Sequence, residues 1–171
     1  MRVLLFEQNN THFKPILDWP DNALATTSTH DLPTLNGWWH GRDIDWNARL
    51  GLVDAQGEIE WRHHRERERE GLRRVLSEDP QNFREESHET DQVLDAAIRF
   101  LGHTRAPLVL LPLEDALGIE QQANLPGTID THPNWSRRLP GDSEALLNDP
   151  DAARRLELLA CARLQAAERD R

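Results

Sequence analysis

Two stretches of this chain carry residue types and spacing suited to chemistry. The first is Thr27-Ser28-Thr29-His30-Asp31-Leu32-Pro33-Thr34-Leu35-Asn36-Gly37-Trp38-Trp39. A Thr-rich segment of strand character ends in His-Asp, and a helix-starting Pro follows almost at once. Asp31 has two readings: a carboxylate offered to a ligand, or the cap of the helix that Pro33 opens. Spacing alone favours core packing for Trp38 and Trp39. The second stretch runs from Asn124-Leu125-Pro126-Gly127-Thr128 through Asp130-Thr131-His132-Pro133-Asn134-Trp135-Ser136-Arg137-Arg138-Leu139. It reads as a long loop after a buried strand, and loops on a rigid scaffold carry function more often than not. Its amides, Trp and two Arg suit sugars: planar donors for hydroxyls and an aromatic face for the apolar side of the ring.

The elements that must position these stretches read as α/β. Residues 2–6, 23–29 and 107–113 have strand character. The first and last are continuous apolar runs, which favours a parallel sheet buried on both faces. Helices are expected over 33–50, 58–77 and 91–102, with Gly102 as a stop. A last helix is expected to open at Asp149-Pro150. In the third, Val93, Leu94, Ala97, Ile98 and Leu101 form an apolar stripe. The run from His63 to Glu70 reads as a solvated helix face, supported by Glu58–Arg62 and Glu70–Arg74 at i,i+4. His63 and His64 are adjacent and do not aim two rings at one metal. Cys161 falls within the apolar pattern of the last helix and reads as core filler. Residues at the C-terminal ends of (β/α) barrel strands read as catalytic or substrate-binding, which is where His30 and Asp31 fall. Three strands cannot close a barrel, and an open three-stranded sheet exposes both edges. With the abrupt apolar start at Met1, this leads to the expectation of one piece of a larger protein, a single unit over 1–171.

Here a resemblance enters. The block Thr29-His30-Asp31-Leu32-Pro33-Thr34-Leu35, then Gly37-Trp38-Trp39, then Asn124-Leu125-Pro126-Gly127-Thr128 to His132-Pro133-Asn134-Trp135-Ser136-Arg137-Arg138-Leu139 resembles the 4-α-glucanotransferases of glycoside hydrolase family 77, the amylomaltases. Met1-Arg2-Val3-Leu4-Leu5-Phe6 is similar to the family's sixth barrel strand. The resemblance implies the C-terminal part of a (β/α)8 TIM barrel, about strands six to eight with their helices, helical by residue count. It implies a retaining double displacement that moves α-1,4-glucan segments between malto-oligosaccharides. The family uses three carboxylates. Only the one after the seventh strand is matched here, by Asp31 as transition-state stabiliser, with His30 as a contact to a substrate hydroxyl. The resemblance also implies substrate contacts from Asn124, Pro126, Gly127, Asn134 and Trp135. Glu114-Asp115-Ala116-Leu117-Gly118 superficially resembles the family's acid/base motif. It runs straight into Asn124-Leu125-Pro126-Gly127-Thr128, so it belongs after the eighth strand, at a short helix start. The isolated chain is therefore expected to lack nucleophile and acid/base. The rival expectation is a non-catalytic glucan-binding or scaffolding module.

Composition narrows the partners. Thirty acidic against twenty basic residues give a net charge of −10, which repels phosphate backbones and argues against nucleic acid. The single cysteine forbids an internal disulfide. No apolar run approaches membrane-spanning length. No cofactor or metal motif is present. A cytoplasmic protein is expected, with malto-oligosaccharides and the rest of its own barrel as partners and the open sheet edges as a route to a homo-oligomer.

Overall fold

The computed structural model describes residues 1–79, 82, 89–142, 145–146 and 148–169. It is a helix-rich α/β arrangement around a small sheet. In chain order the strands are β1 (Arg2–Val3), β2 (Gln8–Asn9), β3 (His12–Phe13), β4 (Leu24–Thr26) and β5 (Leu108–Leu110). The helices are α1 (Leu35–His40), α2 (Arg42–Arg49), α3 (Ala55–Leu76), α4 (Glu89–His103), α5 (Leu113–Ala116) and α6 (Pro150–Arg169). The sheet is parallel in the order β1-β4-β5, with Val3 opposite Thr26 and Thr26 opposite Leu110. This is the parallel sheet that the apolar runs predicted.

The strands are shorter than expected. The run 2–6 is a strand only at Arg2–Val3, then tightens into a 3-10 turn, Leu4–Phe6. Leu4 and Leu5 both turn into the core while Phe6 faces solvent, which a period-2 strand does not allow. The segment 23–29 keeps strand pairing over Leu24–Thr26 alone. In β5 the alternation is plain: Val109 and Leu111 pack on the core, while Leu108 and Leu110 are 63% and 56% exposed. At β5 one face is covered, not two, whereas in β4 the successive residues Ala25 and Thr26 are both buried. The antiparallel hairpin β2–β3 has no counterpart in the sequence reading. Its turn residues Asn10 and Thr11 have φ of 53° and 68°, and Asn-Thr lacks the glycine that marks such turns.

Helix boundaries follow their caps. The expected helix 33–50 breaks at Gly41, whose φ of 74° ends α1 and starts α2. The α3 helix starts earlier than expected, because Asp54 caps it by accepting from the Gly57 N–H at 2.7 Å. His63 and His64 lie exposed on α3, but Arg65 beside them is buried. Gly102 does not stop α4. It lies inside the helix, where a Cβ would come 2.5 Å from Ala162 Cβ on α6. The α6 helix opens as predicted, with Asp149 Oδ1 accepting from the N–H groups of Asp151 and Ala152. Its buried face is Ala152, Arg155, Ala162 and Ala166, so Cys161 points to solvent and is not core filler. Small residues on that face allow α4 and α6 to approach closely, and bulkier apolar side chains of the same helix such as Leu164 are left outside.

The core lies between the sheet and α1, α3 and α4. Ala25, Leu35, Leu72, Leu76, Ala97 and Ile98 are wholly buried there, with Trp38 and Trp39 beside them. Each large apolar side chain so buried stabilises the fold by about 1.5–3 kcal/mol. No helix among the described residues is long and apolar enough to cross a membrane.

Candidate active site

The β4 strand points its C-terminal end at Thr27-Ser28-Thr29 and delivers His30 and Asp31 to the surface. One local bond and one tertiary anchor hold this loop. Ser28 Oγ donates to the Pro33 carbonyl at 2.6 Å, closing the loop on itself. Asp115, on α5, holds both flanks: its carboxyl accepts from the Thr27 hydroxyl and, at 2.7 Å, from the Leu35 N–H. The expected short helix start at Glu114 and Asp115 is present, but Asp115 is also fully buried beneath the His-Asp loop. Burial pushes its carboxyl up to about 6, against the Thr27 and Leu35 hydrogen bonds that lower it.

Thr34 caps α1, with Oγ1 accepting from the Gly37 N–H at 2.9 Å. Asp31 is therefore not the cap. Its Oδ1 accepts from Asn124 Nδ2 at 2.7 Å, and its Oδ2 lies 3.2 Å from His30 Nε2. The His30 ring packs against Trp135 at 5.3 Å between centroids. Both side chains of the His-Asp pair are more than half exposed. Four residues singled out in two distant stretches thus meet in one open cluster: His30, Asp31, Asn124 and Trp135.

The other three expected residues shape the loop. Leu125 to Thr128 form a turn closed by the Thr128 N–H on the Leu125 carbonyl, with Gly127 at φ 84°. That conformation needs Gly at the third position and suits Pro126 at the second. Pro126 and Gly127 stand exposed at its tip. Asn134 spends its whole amide on the loop. Its Oδ1 accepts from the Leu125 N–H and from His132 Nδ1, while Nδ2 donates to the Thr128 carbonyl and hydroxyl. Trp135 follows at φ 56°, a left-handed conformation uncommon for an aromatic residue, held by its N–H on the Ala123 carbonyl at 2.9 Å. The strain leaves its indole 64% exposed beside His30.

Sequence reasoning missed three supports. Gln122 donates to the Asn124 carbonyl at 2.7 Å and so fixes the backbone that carries Asn124. His132 is buried, edge-on to Trp46 at 4.6 Å between centroids. Asp115 grips the loop from beneath. His132 and Asp115 lay inside stretches already quoted, but the partners of Asp115 are set by tertiary contact, and Gln122 lay just outside the second stretch. Among the described residues no group of three or more His, Cys, Asp or Glu could hold a metal ion.

Comparison with known proteins bears on the family and the fold. The family model described as 4-alpha-glucanotransferase, glycoside hydrolase 77, matches residues 1–144. A 4-alpha-glucanotransferase of Haemophilus influenzae is 32% identical over 145 residues, covering 80% of this chain and 20% of that protein. One from Mycobacterium bovis is 35% identical over 153 residues, covering 85% of this chain and 20% of its own length. In structure, an amylomaltase from Corynebacterium glutamicum superposes with a TM-score of 0.75 at 24% identity, over 92% of this chain and 25% of that one. The chain spans about a fifth of the length of the curated relatives it matches. The motifs, the fold and the family match agree: this chain belongs to the 4-alpha-glucanotransferase family.

Proposed function

We propose that this chain supplies one wall of the active site of a 4-α-glucanotransferase, with Asp31 as the carboxylate that stabilises the transition state. The observation that carries this is the Asn124–Asp31 hydrogen bond, which joins stretches 93 residues apart in sequence. The sheet β1-β4-β5 then corresponds to strands six to eight of a (β/α)8 barrel. The outer edges of β1 and β5, unpaired among the described residues, are where the remaining strands would close. His30 and Asp31 sit at the C-terminal end of the middle strand, the position from which such barrels do chemistry.

The reaction is a retaining transfer of an α-1,4-glucan segment between malto-oligosaccharides. One carboxylate attacks the anomeric carbon while an acid protonates the leaving glycosidic oxygen. The 4-hydroxyl of an acceptor glucan then displaces the carboxylate, giving its proton to the acid residue, which now acts as a base. Asp31 takes neither role. Its oxygens accept hydrogen bonds from hydroxyls of the reacting sugar and strengthen as that ring flattens and gains positive charge. His30 contacts a neighbouring hydroxyl. Asn124 fixes the carboxylate plane, and the exposed Trp135 ring offers a surface to a sugar's apolar face.

The 171 residues hold one of the three carboxylates such a transfer uses, so the chain alone does not turn over. Incubation with maltotriose is expected to yield neither glucose nor longer maltodextrins, since members of a catalytic set act as a unit. Products that vanish in Asp31→Asn would overturn that statement and place nucleophile and acid/base within this chain. Maltotriose that leaves the His30, Asn124 and Trp135 resonances unmoved in a nuclear magnetic resonance titration would overturn the site itself.

A further inference from the structure

A second hollow lies between α2 and residues 120–122. Its lining shares no residue with the His30, Asp31, Asn124 and Trp135 cluster. We propose that it binds a neutral hexose unit of an oligosaccharide, at a subsite separate from Asp31. The choice of an α-glucan as that oligosaccharide rests on the function proposed above; the sugar chemistry of the hollow does not.

The hollow has a volume of about 410 Å³, within the range of small-molecule sites. Trp46 forms its wall and is locked from behind by the buried His132 ring. Arg49 rides over the Trp46 ring at 5.4 Å. That guanidinium is exposed, and a cation–π contact at an exposed site holds weakly, so Arg49 is a movable cover. Gln122 supplies the second signal. It is 3% exposed and lines the hollow; its Nε2 is committed to the Asn124 carbonyl, and its Oε1 has no partner among the described residues. A buried acceptor left unmet is unfavourable, and a hydroxyl donor in the hollow would meet it.

Charge separates a sugar from an anion. Arg42 is already neutralised by Glu120 at 2.6 Å and Asp45 at 3.3 Å. With Arg49 and Arg137 the lining holds three guanidiniums against two carboxylates and a free amide oxygen. An anion would meet those acceptors at a cost, whereas a polyol uses donors and acceptors together. Gln121 and Arg137 also line the neighbouring hollow that Trp135 bounds. A glucan passing Trp135 can therefore reach Trp46 across that shared ridge.

The test is a maltose titration of the full chain followed by nuclear magnetic resonance. The expected result is a shift of the Trp46 indole N–H and the Gln122 side-chain amide, and the same shift in Asp31→Asn. Arg137→Ala, at an exposed position, is expected to weaken the Trp46 shift about tenfold in affinity. Shifts at His30 and Asn124 with Trp46 and Gln122 unmoved would overturn this subsite and leave the proposed function standing. Shifts at Trp46 and Gln122 alone would support the subsite and count against the Asp31 site. Inorganic phosphate moving the Trp46 signals where maltose does not would overturn the assignment to a sugar.

Discussion

Asp115 carries a cost that pH can reveal. Unfolded, an Asp releases its proton near its ordinary pKa of about 4. Folded, Asp115 holds it up to about 6. Between those values the folded chain binds more protons than the unfolded chain, so stability falls as pH rises through the window and is flat on either side. The whole step is on the order of 3 kcal/mol. Asp115→Asn keeps the shape and removes the slope. Urea midpoints at about pH 4.5 and pH 7 are expected to differ in the parent chain and to converge in the variant. At the same scale, Asn124→Ala should free Asp31 and weaken maltotriose binding several-fold while leaving the melting temperature nearly unchanged, because the Asn124–Asp31 bond is exposed. His30, Asp31, Asn124 and Trp135 were legible in the sequence because they lie in two dense, unusual motifs. Asp115 was not, because its meaning lies in Thr27 and Leu35, 88 and 80 residues away.

Between elements, the chief polar joint is Arg65 with Asp43. The guanidinium meets both carboxylate oxygens at 2.9 and 2.7 Å, donates to the Trp38 carbonyl at 2.6 Å and lies over the Trp38 ring at 4.8 Å. Both side chains are almost fully buried. Among the described residues, Asp43→Ala leaves that guanidinium only Glu68, at 3.3 Å, as a carboxylate partner, and a loss of about 3 kcal/mol is expected in chemical denaturation. The charge run of α3 concealed this, since one buried Arg among exposed neighbours leaves no mark in composition. Gly37 is a second joint. A Cβ there would come 2.2 Å from the Glu120 carbonyl oxygen. Gly37→Ala is therefore expected to push residues 119–124 off α1, lowering stability by about 1–3 kcal/mol. The Asn124 side-chain amide resonances should shift with it. Gly37 had been quoted only as part of a motif, and its use as a point of close approach is visible only in three dimensions.

For the molecule as a whole, the parallel sense of the sheet followed from the apolar runs, while the coverage of β5 did not. Runs such as 107–113 are written for burial on both faces, but only one face is covered here. The outward Leu108 and Leu110 on an edge strand make a surface prone to pairing. Concentration-dependent association is expected in sedimentation velocity, and Leu108→Lys with Leu110→Lys should suppress it without lowering the melting temperature.

The terminal helix has a consequence for how the chain is cut. The family match ends at residue 144, before α6 begins. Yet Arg155 of α6 is wholly buried, bonded to Asp91 and Asp95 of α4 and to the Ala116 carbonyl of α5. A domain trimmed to the boundary that similarity draws would strip the cover from Gly102 and leave two acidic side chains facing an empty trough. Expressed without residues 145–171, the chain is expected to aggregate, because packing carries the folded unit a full helix beyond the family match.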